Sequence, residues 1–445
     1  MSNKKILILG AAGKDFHTFN CVFRGKRDQF EVVAFTATQI PWIEDRIYPA
    51  VLAGPGYPDG IPIRDESELE DLVRKFKVDE CVFAYSDVSY DYIDKMRKRC
   101  EAAGTSFRTA TAQETMVDCA KPVIAICAVR TGAGKSQTTR KVRDILIGMG
   151  KKVVAIRHPM PYGDLAKQAV QRFATIDDLK KHECTIEEME EYEPHIANNT
   201  IVYSGVDYHA IIRQAEQEAD VVLWDGGNND TPFYKPDLHI TVVDPHRPGN
   251  ELTYYPGRDN FEMADVLLFN KMDTADPDNV KIIEKNAREH NPDAILIYAN
   301  SPATADDPSM ITGKRVLVVE DGPTTTHGGM KIGAGTVAAR AAKAAELVDP
   351  RPFLKGSLID TFKKYPTIGP LLPAMGYSDQ QVKDLEDTIE AVDCDVVVIG
   401  TPIDLRRIVK ISKPSVRVQY ELEVTSKPGL EEVIKQKLAV LSGRS

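Results

Sequence analysis

Short, continuous apolar runs alternate along the chain with longer polar stretches whose apolar residues recur at helical spacing. Apolar runs of strand length bounded by turn formers read as buried strands, and strands alternating with helices predict parallel α/β architecture. Residues 6–9, 32–35 and 81–84 supply such strands early in the chain. A second series follows at 123–128, 153–156, 221–224, 239–243, 266–269, 295–298 and 316–319. Beyond 349–352 the texture shifts to proline and glycine turns, a helix near 380–390, and strands at 396–399 and 416–422. The pattern predicts a Rossmann-like domain over 1–118, a larger parallel-sheet domain over 119–346, and a small C-terminal α/β portion over 347–445.

At 445 residues the chain exceeds what one hydrophobic core supports, in keeping with several units. Its 42% hydrophobic and 27% charged residues fit an ordered globular protein. A formal charge of -10 argues against nonspecific attraction to nucleic acid or anionic lipid. The seven cysteines form no CxxC or zinc-ligand spacing. The apolar run at 6–9 is too short for a signal-peptide core, and no segment approaches the length needed to span a bilayer, so a cytoplasmic protein is expected.

The chemistry concentrates after the strand at 123–128, where Arg130, Thr131, Gly132, Ala133, Gly134, Lys135 and Ser136 lead into a helical pattern, 138–149. A bound triphosphate needs main-chain N–H groups at its oxygens, a lysine at the outer phosphates, and a hydroxyl beside magnesium. Gly132, Gly134, Lys135 and Ser136 meet those needs, with Ala133 and Gln137 completing the nucleotide-binding set. The strict pattern wants glycine at 129, where Val129 stands, while Arg130 lies five positions before Lys135. In this the loop resembles the deviant form of the SIMIBI class of P-loop NTPases, so Arg130 is expected to touch phosphate. Asp225, closing the run 221–224, has the form of a carboxylate oriented toward hydrated magnesium, with Ser136 as the other metal-associated residue. Asn270, Lys271 and Asp273 follow the strand at 266–269 and look like the NKxD guanine-reading motif, although an Asn/Asp turn at a strand end produces the same letters.

Three other strand ends carry anion-binding chemistry. Arg157, His158 and Asp164 follow the strand at 153–156 and are assigned catalytic roles with Lys135, Arg130 and His327. His246 and Arg247 follow 239–243. Thr324, Thr325, Thr326, His327, Gly328, Gly329 and Lys331 follow 316–319 and read as a phosphate nest for the acceptor, continued by Gly333 and Gly335. The turn holding Gly10 and Gly13 reads either as an anion cradle or as a tight strand-to-helix turn. It lacks a third fingerprint glycine, and Thr36, Ala37 and Thr38 stand where a nicotinamide site wants an acidic residue, so hydride transfer is not expected.

The loop at 130–136, the segments 157–165, 243–249 and 319–330, and the late run 398–404 together resemble cyclic 2,3-diphosphoglycerate synthetase and its predicted-GTPase relatives over nearly the whole chain. The resemblance implies ATP- and magnesium-dependent closure of an internal phosphoanhydride in a small anionic phosphorylated substrate, releasing ADP and phosphate. It also implies a homodimer. The NKxD letters point instead to GTP, and with it to a regulatory or assembly GTPase as the alternative.

Overall fold

The computed structural model describes residues 3–38, 46–158, 163–227, 230–326, 328–375 and 378–443, the side chains of 186 and 187 excepted. The chain is mixed α/β, and its strands gather into three largely parallel sheets. Among the described residues no helix is long and apolar enough to cross a membrane.

The first sheet runs Ile47–Tyr48, Ile61–Asp65, Phe30–Ala37, Lys4–Leu9, Glu80–Phe83, Ser106–Thr109. Only Ile47–Tyr48 is antiparallel. Strand order reverses at Lys4–Leu9, whose neighbours are Phe30–Ala37 and Glu80–Phe83. Such a switch point leaves a crevice at the strands' carboxyl ends, where ligands of open α/β sheets bind. The turns after Leu9 and Phe83 border it.

The second sheet places Val123–Ala128 between Val221–Gly226 and Leu238–Val243, with Val153–Arg157 and Val266–Phe269 next on either side. All six residues of Val123–Ala128 are buried, as a central strand covered on both faces requires. Because these five strands are parallel, their functional turns open onto one rim.

The third sheet joins Ala303–Ala305, Ser415–Tyr420, Val396–Gly400, Arg315–Asp321 and Glu346–Leu347, with Leu372–Ala374 also paired to Arg315–Asp321. The strand expected at 316–319 within the middle unit thus pairs in this sheet. Conversely, the chain's last elements return to the second sheet. Glu423–Val424 pairs with Ile295–Asn300, and Leu430, Val433, Ile434 and Leu438 of helix Leu430–Ser442 enter the core that buries Val142 and Leu146. Apolar periodicity marks an element but does not say which sheet takes it, and here non-local pairing decides. A two-stranded ladder, Val88–Ser89 with Tyr254–Tyr255, ties the first unit to the second.

Candidate active site

The three sheets meet around a cleft of about 810 Å³, lined from the first sheet by Lys14 and Asp87, from the second by Lys135 and Arg157, and from the third by Asp321 and Thr324. At its centre the turn 129–134 enters helix Lys135–Gly148. Gly132 and Gly134 have φ of 80° and 115°, a region that penalises side chains. A Cβ at Gly134 would lie 2.0 Å from Asn270 Nδ2. Asn270 is fully buried and donates to the Ala133 carbonyl at 2.9 Å, while Lys271 Nζ donates to the Gly132 carbonyl at 2.6 Å. These two residues therefore brace the phosphate turn. Asp273 is exposed and its Oδ1 accepts from the Ser301 amide at 2.9 Å, while Ser301 Oγ donates to Gln137 Oε1 at 3.1 Å.

Lys135 reaches Asp225, whose carboxylate gathers Lys135 Nζ at 2.9 Å, Thr139 Oγ1 at 2.7 Å, Arg157 at 3.0 Å and His195 Nε2 at 3.2 Å. Asp225 is 1% exposed, so burial opposes its charge, yet Arg157, Lys135 and His195 hold it well below the usual carboxylate range. Arg157 also pairs with Glu191 at 2.7 Å. Glu191 and His195 lie four positions apart on helix Ile186–Ile196, the spacing that puts both on one face. Burial lowers the His195 imidazole pKa, which favours its neutral form.

The expected metal pair is altered by this packing. Four donors already surround Asp225, which makes it the counter-ion of Lys135 and Arg157 rather than a carboxylate with lone pairs to spare for a cation. Ser136 Oγ instead lies 3.4 Å from Glu191 Oε2. A hydroxyl and a carboxylate beside nucleotide phosphates and water are the hard oxygen donors magnesium takes. The residues present fit magnesium, with Ser136 as one side-chain ligand and Glu191, whose Oε2 also pairs with Arg157, as the carboxylate beside it. Among the described residues no group of three or more His, Cys, Asp or Glu could hold a metal.

Other expected site residues are engaged differently. Arg130 lines the cleft, but its Nε donates to Asp87 at 2.9 Å, its Nη1 to Asn250 at 2.7 Å, and its guanidinium stacks over Tyr254. It ties the phosphate turn to the first unit. His158 lies on the cleft wall, 3.4 Å from Asp230, which also accepts from Ser86. Asp164 is a correction. It is exposed, its Oδ1 accepts from the amides of Ala166 and Lys167, and it does not line the cleft. A short carboxylate closing its own turn satisfies the same loop letters.

The nest expected at 324–329 is also corrected. Thr324 donates to Asp321, Thr325 to the carbonyls of Asp321 and Gly322, and Thr326 to the Gly322 carbonyl. The amides of Gly328 and Gly329 turn back to Pro323 and Thr326. Farther on, Gly333, Gly335 and Thr336 point their amides at the buried carboxyl of Glu320, which caps helix Ala334–Ala341. Burial pushes that carboxyl up to about 7, against the pull of its donors. Arg247 is held by Asp244 and by the carbonyls of Thr131 and Gly328, clamping the segment to the phosphate turn. His246 lines the cleft and bonds Thr274, with burial lowering its pKa, whereas Lys331 is exposed and not part of the lining. His327 lies outside the described residues. In the first unit the amides of Ala12 and Gly13 are taken by Asp15, so that turn carries its own anion.

The residues missed from sequence are Glu191, His195, Lys14, Asp87 and Asp230. Glu191 and His195 sit in an acidic helix that carries no motif, and Asp87 follows a strand without one. Lys14 stood in view beside Gly13, where a lysine after a glycine turn was a usable signal.

A curated relative, arginine synthetase ArcE of Thermococcus kodakarensis, is 58% identical over 433 residues, covering 97% of this chain and 96% of its own length. The chain belongs to the arginine synthetase ArcE family. The chain is an ATP-dependent enzyme, in keeping with the synthetase name of that relative. That relative is named for arginine, so the resemblance read from the motifs holds only for the broader synthetase class. No protein-family model matches the chain. A crystal structure of LpxK from Aquifex aeolicus in complex with ATP aligns with 83% of this chain and 99% of its own, at TM-score 0.42 and 11% identity, too distant to carry structural inference.

Proposed function

We propose that this ArcE-family chain forms arginine from citrulline and ammonia at the expense of ATP, in a fold that pairs a Rossmann-like unit with a SIMIBI-type P-loop unit. The observation that carries the proposal is Lys135 at the head of a braced phosphate turn inside a shared cleft, in a chain 58% identical to a protein named arginine synthetase. Arginine with oxygen in place of one terminal nitrogen is a ureido acid, citrulline. Its oxygen is a poor leaving group, and a phosphoryl group cures that defect. The ureido oxygen attacks the γ-phosphorus and the bond to ADP breaks. Ammonia then adds to the ureido carbon, and the C–O bond breaks with its electron pair leaving on phosphate. A proton is released wherever the nitrogen arrives as ammonium.

Lys135 draws charge from the γ-phosphoryl group once phosphate displaces it from Asp225, and Arg157 beside it stabilises the charge that builds in transfer. Ser136 and Glu191 would hold magnesium, which would supply charge neutralisation at the nucleotide phosphates.

Charge balance favours an amino-acid acceptor over a polyphosphorylated one. The cleft is lined by as many carboxylates as lysines and arginines, which suits a zwitterion better than a molecule carrying several negative charges. ATP is favoured over GTP because Asp273, the residue that would read guanine, does not line the cleft. The test is a product assay with magnesium, ammonium and each pairing of ATP or GTP with citrulline or 2,3-diphosphoglycerate. Arginine, ADP and phosphate in equal amounts are expected with ATP and citrulline. A cyclised phosphoanhydride with no arginine returns the reading to diphosphoglycerate chemistry.

A further inference from the structure

We infer that the first unit holds the amino-acid head group of the acceptor, with Asp87 taking the α-ammonium and Lys14 the α-carboxylate. This deepens the arginine-forming reading and rests on it. The two residues flank the switch point of the first sheet. Lys14 follows the turn after Lys4–Leu9, and Asp87 follows Glu80–Phe83. Both line the same cleft as Lys135. Parallel sheets bind ligands at this crevice, and the turn's own amides are already spent on Asp15, so any ligand here is recognised by side chains.

Asp87 carries the decisive observation. Its side chain is 7% exposed and its Oδ1 accepts from Arg130, yet among the described residues its buried Oδ2 has no hydrogen-bond partner. A buried carboxylate oxygen left without a donor costs free energy and calls for an explanation. Asp87 also adopts φ of 56°, a left-handed conformation that sets where the carboxylate points. A cationic N–H donor entering from the cleft satisfies that oxygen. Lys14 is 3% exposed, and among the described residues its single side-chain hydrogen bond, at 3.1 Å, goes to Tyr255 Oη. An ammonium has three donors, so a carboxylate finds two remaining. One anionic and one cationic group, both buried and on adjacent turns, are complementary to a zwitterion, and Asp230 adds negative charge beside them. The ureido end then extends toward Lys135, where the phosphoryl group arrives.

The test compares citrulline with 5-ureidopentanoic acid, the same molecule without its α-amino group, in wild type, Asp87→Asn and Lys14→Met. Wild type is expected to lose at least about a hundredfold in kcat/KM on the trimmed acceptor, because a site built for a hydrogen-bonding group rejects the analogue lacking it. In Asp87→Asn that penalty is expected to shrink to about threefold, with KM for citrulline raised at least about tenfold. Lys14→Met, which leaves the Asp87–Arg130 pair intact, is expected to raise KM for citrulline while keeping the α-amino penalty, and it answers the question if Asp87→Asn does not fold. Equal use of both acceptors by wild type, an undiminished penalty in Asp87→Asn, or an unchanged citrulline KM in Lys14→Met overturns the head-group site alone. Wild type making no arginine overturns the arginine reading, and this proposal with it.

Discussion

The phosphate turn at 129–134 and the segment at 322–330 face each other so closely that a Cβ on Gly132 would lie 3.1 Å from Thr324. Both carry glycines and threonine, yet they are engaged from different sides. The first is braced from outside, by Asn270 and Lys271 on its carbonyls, and delivers a lysine into the cleft. The second turns its threonine hydroxyls and glycine amides onto its own carbonyls and onto Asp321. A phosphate nest depends on donors that the fold leaves unspent, and composition does not record that. The same contrast separates Lys14, with donors in reserve, from the Gly10 turn beside it, whose amides are already occupied.

The largest expected effect breaks the first turn. Lys135→Ala should lower kcat by at least about a thousandfold, the scale for losing a charge aimed at the transition state. Arg157, Thr139 and His195 still satisfy Asp225, so the melting transition should barely move. An activity loss of less than about tenfold in a steady-state arginine assay would remove Lys135 from the chemistry.

Next comes the counter-ion itself. Asp225→Asn leaves Lys135 and Arg157 buried with no carboxylate between them, and breaking such a pair costs about 3–5 kcal/mol. A urea melt should show a lower midpoint with an unchanged slope. A midpoint equal to wild type is incompatible with the packing around Asp225.

The third sharpens the contrast through pH. The Glu320 carboxyl has an ordinary value of 4.5 and stands at about 7 when folded, raised by burial. Between those values the folded chain keeps a proton that the unfolded chain has lost, so this group's contribution falls as pH rises from about 4.5 to 7, by about 3 kcal/mol in all. Glu320→Gln should flatten that part of the stability profile. A profile identical to wild type shows that the helix cap does not titrate there.

The smallest effect belongs to the second segment. Thr325→Val removes a hydroxyl that bonds only local carbonyls among the described residues, so KM for ATP and for citrulline should each stay within about twofold, with stability down by about 1 kcal/mol. A tenfold rise in either KM would restore the segment as a binding nest.

Local features were legible from sequence. The strand Val123–Ala128, its glycine turn and Lys135 are contiguous, so spacing alone locates them. Asn270 and Lys271 were visible as a motif, but their bracing role needs the second sheet to bring residues more than a hundred positions apart together. Glu191, Asp87 and Lys14 reach the cleft from different units, and no local pattern encodes that meeting. In the segment at 324–329, among the described residues, short-range bonds consume the threonine hydroxyls and glycine amides that made it look like a site.

The most direct test follows the ureido oxygen. Citrulline carrying a heavy-oxygen label in its ureido group is incubated with ATP, magnesium and ammonium, and the released inorganic phosphate is analysed by mass spectrometry. Transfer of the label into phosphate, one atom for each arginine formed, is expected from γ-phosphoryl activation at the turn headed by Lys135. Arginine formed with the label appearing in AMP or in water contradicts it.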